Sequence, residues 1–289
     1  MEAAPRARGV LIFLLISFGF TWAWEFTARL GLGLSLVNPL VQAPVGFLPA
    51  IAAVVVRRWV TREGFADAGL ALRLRPAWRY YLAAWALPWT FVVVAAGLAA
   101  ALGLAHPVLS RLAGSGLPAW AVLLLLIGGV PLLAPIYWGE EFGWTGYLRL
   151  RIFPERPVLS VTATGFIWAA WHFPLAFLGY VNFPEVIIGL ASWTLWFLFQ
   201  EVILAWMRLA SGTIWTTSVA HAGTNMVASL VTGLLLAGKP DPAATDLLFC
   251  VPYAAVCAWL LLTGRLARIE PLIGRRQIRR PSEGRVAAE

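Results

Sequence analysis

Charge is what this chain has least of. Only 12% of its 289 residues are Asp, Glu, Lys or Arg, against roughly 25% in a soluble domain. With 60% hydrophobic residues it could not cover its own surface in water, which excludes an ordinary soluble globular domain. No long polar stretch is present, so a second, soluble domain is excluded as well. Cysteine is nearly missing: Cys250 and Cys257 lie in one apolar stretch without the spacing of a zinc or redox pair, and read as small core residues. Internal repeats are not visible, which counts against a transporter built from paired halves. Lysine is almost absent beside abundant arginine, the usage of a GC-rich bacterial genome, so a bacterial cell (inner) membrane is the expected location. The +8 net charge would point to nucleic acid in a soluble protein; in a chain this apolar no nucleic-acid partner is expected.

What is there instead is a series of apolar runs of about 20 residues, the length of a helix that crosses a bilayer. Barrel strands would be shorter and would alternate. The expected fold is therefore all-α, a polytopic integral membrane bundle of about eight transmembrane helices. The spans read 9–28, 41–56, 80–104, 117–148, 158–180, 186–207, 213–236 and 246–263. The run 117–148 is long for one crossing and is expected to tilt or to break near Pro131 and Pro135. The first run reads as an uncleaved helix, because Trp22, Trp24 and Glu25 follow it where a signal peptide would carry small residues. Basic residues alternate sharply between loops. Two lie before the first span, six in 57–79, three in 149–157, one at Arg208 and seven from Arg265 to Arg285. The opposite loops hold only Arg29, Arg111 and Lys239. Positive residues stay on the cytoplasmic side, so both termini are expected inside (N-in/C-in). One membrane domain would fill 1–289, with a core at 117–236 and a basic cytoplasmic tail at 265–289.

Ionisable residues in hydrocarbon are costly and mark function by default. Glu25, Glu140, Glu141, His172, Glu201 and His221 all fall within spans, and Asn225 adds a buried amide. Glu25 has Arg29 one turn on, on the same face, and reads as an interfacial ion pair. Glu201 reads as a structural partner for another polar group. The others are harder to dismiss. Glu140 and Glu141 lie about 12 Å from the cytoplasmic end of their helix, His221 about 12 Å and His172 near 21 Å into theirs, at 1.5 Å per residue. Asn225 is one turn beyond His221, on its face. Trp138, Trp144, Trp168 and Trp171 surround the set in sequence, and an apolar cage tunes a carboxyl for general-base work. Pro174 frees a backbone carbonyl nearby. Three readings stay open on this chemistry: a satisfied polar network that locks the helices, proton or ion transport, and hydrolysis.

The same residues carry a family resemblance. Glu140-Glu141-Phe142-Gly143-Trp144-Thr145-Gly146-Tyr147-Leu148 resembles the first motif of the CAAX prenyl endopeptidase and bacteriocin-processing (CPBP) intramembrane proteases. Trp168-Ala169-Ala170-Trp171-His172-Phe173-Pro174 resembles the second, and His221-Ala222-Gly223-Thr224-Asn225 the third. Leu74-Arg75-Pro76 resembles that family's loop before its third helix. The resemblance implies an intramembrane endopeptidase cutting near the cytoplasmic face, on a peptide or protein substrate that is lipidated or membrane-anchored, with membrane lipids around it. Glu140 and His172 would activate water, with Glu141 beside them. His221 and Asn225 would hold the oxyanion. If a metal such as Zn2+ took part, Glu140, His172 and His221 would ligate it; the lack of a compact H-E-x-x-H motif points to metal-free water activation. Thr145 stands where the family usually carries Arg, which leaves Glu141 in need of another donor: a hydroxyl, an indole N–H or Arg149. Trp168 stands where Phe is common. The alternative is a non-catalytic relative, a membrane scaffold or bacteriocin self-immunity protein.

Overall fold

The computed structural model describes residues 3–236 and 240–266, and among them every regular element is helical. The expected basic tail lies, beyond residue 266, outside the described residues. Eight principal helices follow in order. They are α1 (Ala3–Phe26), α2 (Pro39–Val55), α3 (Leu74–Ala101), α4 (Ala119–Gly143), α5 (Pro157–Phe177), α6 (Val186–Ser211), α7 (Ile214–Gly223) and α8 (Pro242–Leu262). All but α7 belong to helices long and apolar enough to cross a bilayer, seven among the described residues. The eighth expected span, 213–236, is a continuous helical run from 214 to 235, in which α7 passes into a π-helical stretch, Thr224–Val231. The protein is thus a polytopic helical membrane bundle.

The helix starts follow from local chemistry. Asn38 and Asp241 each cap a helix whose first residue is proline, their carboxyl or amide oxygens accepting from Leu40 N and Ala244 N. Thr213 caps α7 in the same way through Trp215 N. Such caps satisfy backbone donors that the first turn leaves free, and proline has no N–H to waste there.

Of the two expectations for the long fourth span, tilting or breaking at its prolines, the break does not occur. α4 runs through Pro131 and Pro135 and on to Ile152, through a π-helical turn at Trp144–Leu148. Pro131 leaves the Ile127 carbonyl without its helical donor, and the Trp85 indole N–H of α3 fills that place at 2.9 Å. Lipid offers no such donor, so a proline in a spanning helix needs a neighbouring helix to answer it.

α4 lies between α2 and α7, and α7 also packs on α3 and α6. Glycines permit this density. A Cβ at Gly139 would come within 2.4 Å of the Gly46 carbonyl oxygen, and one at Gly143 within 2.3 Å of Pro49 Cβ. Gly139 and Gly143 are four apart, a small-xxx-small face on which α2 closes. On the other side, a Cβ at Gly223 would lie 2.6 Å from Pro88 Cγ. The two glutamates sit between these glycines, so backbone contact with α2 sets their position.

One end of the bundle, the end where the basic loops cluster, is held by ion pairs. Arg57, just past the end of α2, donates to Asp67 Oδ1 at 2.8 Å, to Gly64 O and to Gly146 O on the α4 extension. Arg151 binds Glu63 and Asp67 and stacks over Tyr147. Arg208 at the end of α6 donates to Asp67 O and lies flat on Gly69, where a Cβ would meet the guanidinium at 2.5 Å. Gly69 has φ +71°, a conformation glycine adopts without strain. Burial works to raise the Asp67 carboxyl, but the Arg151 and Arg57 guanidiniums outweigh it and hold Asp67 below its ordinary range.

Candidate active site

Trp168 organises the buried polar residues. Its indole N–H donates to Glu140 Oε2 at 2.9 Å, joining α5 to α4. Its ring stands edge-on to His221 of α7, 5.1 Å between centroids, and edge-on to His172 one turn further along α5, at 5.9 Å. Glu140, His172 and His221, expected at overlapping depths, thus surround one indole. Asn225 joins through Tyr137: the Tyr137 ring lies 4.8 Å from the His221 ring and its hydroxyl faces the Asn225 side chain. Tyr137 was not singled out from sequence. It lies three residues before Glu140, on the same helix face, and that spacing was the available signal.

The two histidines are oriented differently. His172 Nδ1 is 2.9 Å from the Trp168 carbonyl oxygen. A carbonyl only accepts, so Nδ1 carries the proton and Nε2 is left with a lone pair. The carbonyl that serves the site is therefore that of Trp168 rather than one freed by Pro174. Around the ring, Trp171, Trp193 and Phe197 close an aromatic box at 4.7, 5.9 and 4.5 Å. His221 Nδ1 is 3.0 Å from Glu141 Oε1, and both side chains are buried.

Glu141 has found its partners without the arginine the motif usually carries. Oε1 meets His221, and Oε2 accepts from the Thr145 hydroxyl at 3.1 Å. Of the three donors expected for Glu141, the hydroxyl is the one used, and it belongs to Thr145 itself. Arg149, one turn later, turns to Glu201 Oε1 at 3.1 Å and so gives Glu201 the structural partner expected of it. Glu201 in turn lies close enough to feel both Glu141 and His221. The buried charges form one connected group across α4, α6 and α7.

The expected ion pair between Glu25 and Arg29 is absent. Arg29 Nε donates to the Leu178 carbonyl just past α5, while Glu25 is buried, with Oε2 meeting no donor. The reason is rotation: α1 turns the Glu25 face inward toward Glu140, whose charge it feels, and Arg29 reaches sideways to an open helix end. Ser17 and Thr21 share that face and were also missed.

A metal fits poorly here. Among the described residues no group of three His, Cys, Asp or Glu is placed to hold an ion. The set Glu140, His172 and His221 is separated by the Trp168 ring, and each member already spends an atom on a hydrogen bond.

Two of the four π-helical stretches among the described residues fall at the site: Trp144–Leu148 directly follows the paired glutamates, and Thr224–Val231 begins just after His221 and carries Asn225. π turns recur at functional positions because they rotate a few side chains away from the helical register.

No curated protein matches the chain. Residues 115–227 match the family model described as Type II CAAX prenyl endopeptidase Rce1-like. The matched stretch begins before α4 and ends two residues after Asn225; it contains all five candidate residues and leaves α1 to α3 outside. Residues 115–227 are therefore similar to the Rce1-like type II CAAX prenyl endopeptidase domain, a likeness consistent with the CPBP family of intramembrane proteases.

Proposed function

We propose that this protein is a membrane-embedded endopeptidase in which Glu140 activates water. The observation that carries the reading is the grip of the Trp168 indole on Glu140 Oε2, beside two imidazoles that the same ring positions. One carboxylate oxygen is fixed by that bond and the other is left to act as base.

The steps balance without a metal, and none is routed through one. A water held between Glu140 Oε1 and His172 Nε2 gives a proton to Glu140 as its oxygen attacks the peptide carbonyl carbon. The carbonyl oxygen becomes an oxyanion, met by the Asn225 amide N–H and by His221 Nε2–H. Glu141 accepts a hydrogen bond from His221 Nδ1–H and balances the charge of the ring when both nitrogens are protonated. The carbon–nitrogen bond then breaks, and Glu140 returns its proton to the leaving amine. Products are a carboxylic acid and an amine, which ionise to a carboxylate and an ammonium by passing one proton between them, and one water is consumed.

The substrate class is a peptide tail of a lipidated or membrane-anchored protein, presented from the cytoplasmic face of a bacterial cell membrane. The test is cleavage of a membrane-anchored reporter by purified protein in lipid, with the cut mapped by mass and the reaction repeated with a chelator. An internal cut insensitive to chelation is expected. Loss on chelation, restored by zinc, would replace this mechanism with a metalloprotease. Inactivity on every reporter, with a biological role that survives Glu140→Gln, would favour a scaffold or immunity protein.

A further inference from the structure

α1 buries a single stripe. Gly9, Phe13, Ser17, Thr21, Glu25 and Ala28 are buried, at steps of four or three, while most of the remaining helix surface is exposed to a greater degree. A helix that meets its bundle along one stripe ordinarily makes that stripe apolar or small. Here its middle is polar. Ser17 and Thr21 are fully excluded, and neither hydroxyl has a hydrogen-bond partner; Glu25 is 2% exposed and its Oε2 has none.

The stripe faces the site. Below Ser17, Phe13 stands edge-on to Trp144 of the α4 extension, 5.5 Å between centroids. Trp171 of α5 donates to the Ser17 carbonyl, and Trp22 donates to the Trp171 carbonyl. Above them, Glu25 feels the charge of Glu140. The Trp144 indole N–H is directed at the Glu140 carboxyl. Three orphaned polar groups thus share the stripe, and the last of them, Glu25, lies within the field of Glu140. Buried polar groups are nearly always hydrogen-bonded, and those without a protein partner are met by ordered water, each water needing two to four such groups.

We infer that the Ser17–Thr21–Glu25 face of α1 holds a short file of bound waters that ends at Glu140 and supplies the nucleophile. The inference rests on the reading of Glu140 as the water-activating residue. Each turnover consumes one water, and a peptide lying across the site would cover the approach from its own side. The file delivers the replacement from behind. Glu25 is a positioning residue: it orients the waters that Glu140 deprotonates and touches no reacting atom.

Two measurements on the full chain in lipid test this. In radiolytic hydroxyl-radical labelling, bound internal water oxidises the side chains it touches even where bulk solvent is excluded. Phe13 and Trp144 should label in the native protein, and the double variant Ser17→Ala/Thr21→Val should lose that labelling while the exposed Trp59 labels as before. Phe13 and Trp144 unlabelled in the native protein, or equally labelled in the variant, would overturn the water file. In the kinetic arm, Glu25→Gln should lower kcat by up to about 10²-fold, the cost of a misplaced reacting group, with KM unchanged. An unchanged kcat, or a loss confined to KM, would remove Glu25 from the role. If Glu140→Gln kept full turnover, the proposed reaction would fail, yet the labelling would still report whether α1 holds water.

Discussion

Trp168→Phe is the substitution that isolates one bond. Phenylalanine keeps an aromatic ring between His172 and His221 but deletes the N–H that reaches Glu140 Oε2 at 2.9 Å. A hydrogen bond to a charged group contributes about 1.5–3 kcal/mol, and leaving a buried acceptor unmet costs a similar amount. If that bond holds the base in its reactive position, the whole loss appears in the barrier. At about 1.4 kcal/mol per tenfold, kcat should fall roughly 10- to 150-fold. Trp168→Ala should do worse, because it also removes the edge-on contacts to both imidazoles, each about 0.5–1.5 kcal/mol, and opens a cavity costing about 3–5 kcal/mol. The assay pairs reporter cleavage with thermal unfolding in lipid. Native kcat in Trp168→Phe would refute the reasoning, since Glu140 would then be held by something else.

Three further outcomes are expected. Thr145→Arg should bring no gain in cleavage rate, because both Glu141 oxygens already have donors; a rise in rate would show that the arginine's role was vacant. Gly143→Ala should lower the unfolding temperature, since its Cβ would meet Pro49 at 2.3 Å and overpacking costs about 1–3 kcal/mol; an unshifted melt would mean that α2 yields freely. Asp67 is held below its ordinary range by Arg151 and Arg57 against the effect of burial. Its folded value is thus lower than its unfolded one, near 3.9. Its stabilising contribution is complete above the unfolded value and lost as pH falls through the folded one. Unfolding followed from pH 6 downward should show native stability falling more steeply than that of Asp67→Asn; parallel curves would remove the clamp from the account.

Helix count and boundaries were legible because the bilayer leaves a chain few choices: apolar runs of spanning length can only be helices. The three motif helices were legible as well, since Glu140, His172 and His221 announce themselves in apolar surroundings. The rest depended on contacts remote in sequence. Nothing around Pro131 reveals that Trp85, more than 40 residues earlier, will meet the carbonyl it frees. The neighbouring Arg29 suggested a partner for Glu25 by helix spacing, but which way α1 is rotated is decided by packing on α2 and α5. Arg149 was a reasonable donor for Glu141 by proximity. It goes to Glu201 because Thr145 and His221 have already satisfied Glu141. The two π-helical turns at the site leave no periodicity to read, being five and eight residues long. Trp168 was noted for its spacing to His172, yet its place between two imidazoles and a carboxylate exists only once α4, α5 and α7 are packed.

The central claim is that Glu140 is the base, and Glu140→Gln tests it most directly. Glutamine keeps the shape and can still accept the Trp168 hydrogen bond through its carbonyl oxygen, but it cannot take a proton from water. Removing a general base typically lowers a rate by about 10²–10⁴-fold. The measurement is single-turnover cleavage of a membrane-anchored reporter by the variant in lipid, beside its binding of the same reporter and its unfolding temperature. The account predicts native binding and folding with turnover reduced by at least about 10²-fold. Turnover at the native rate in a folded Glu140→Gln protein would contradict it.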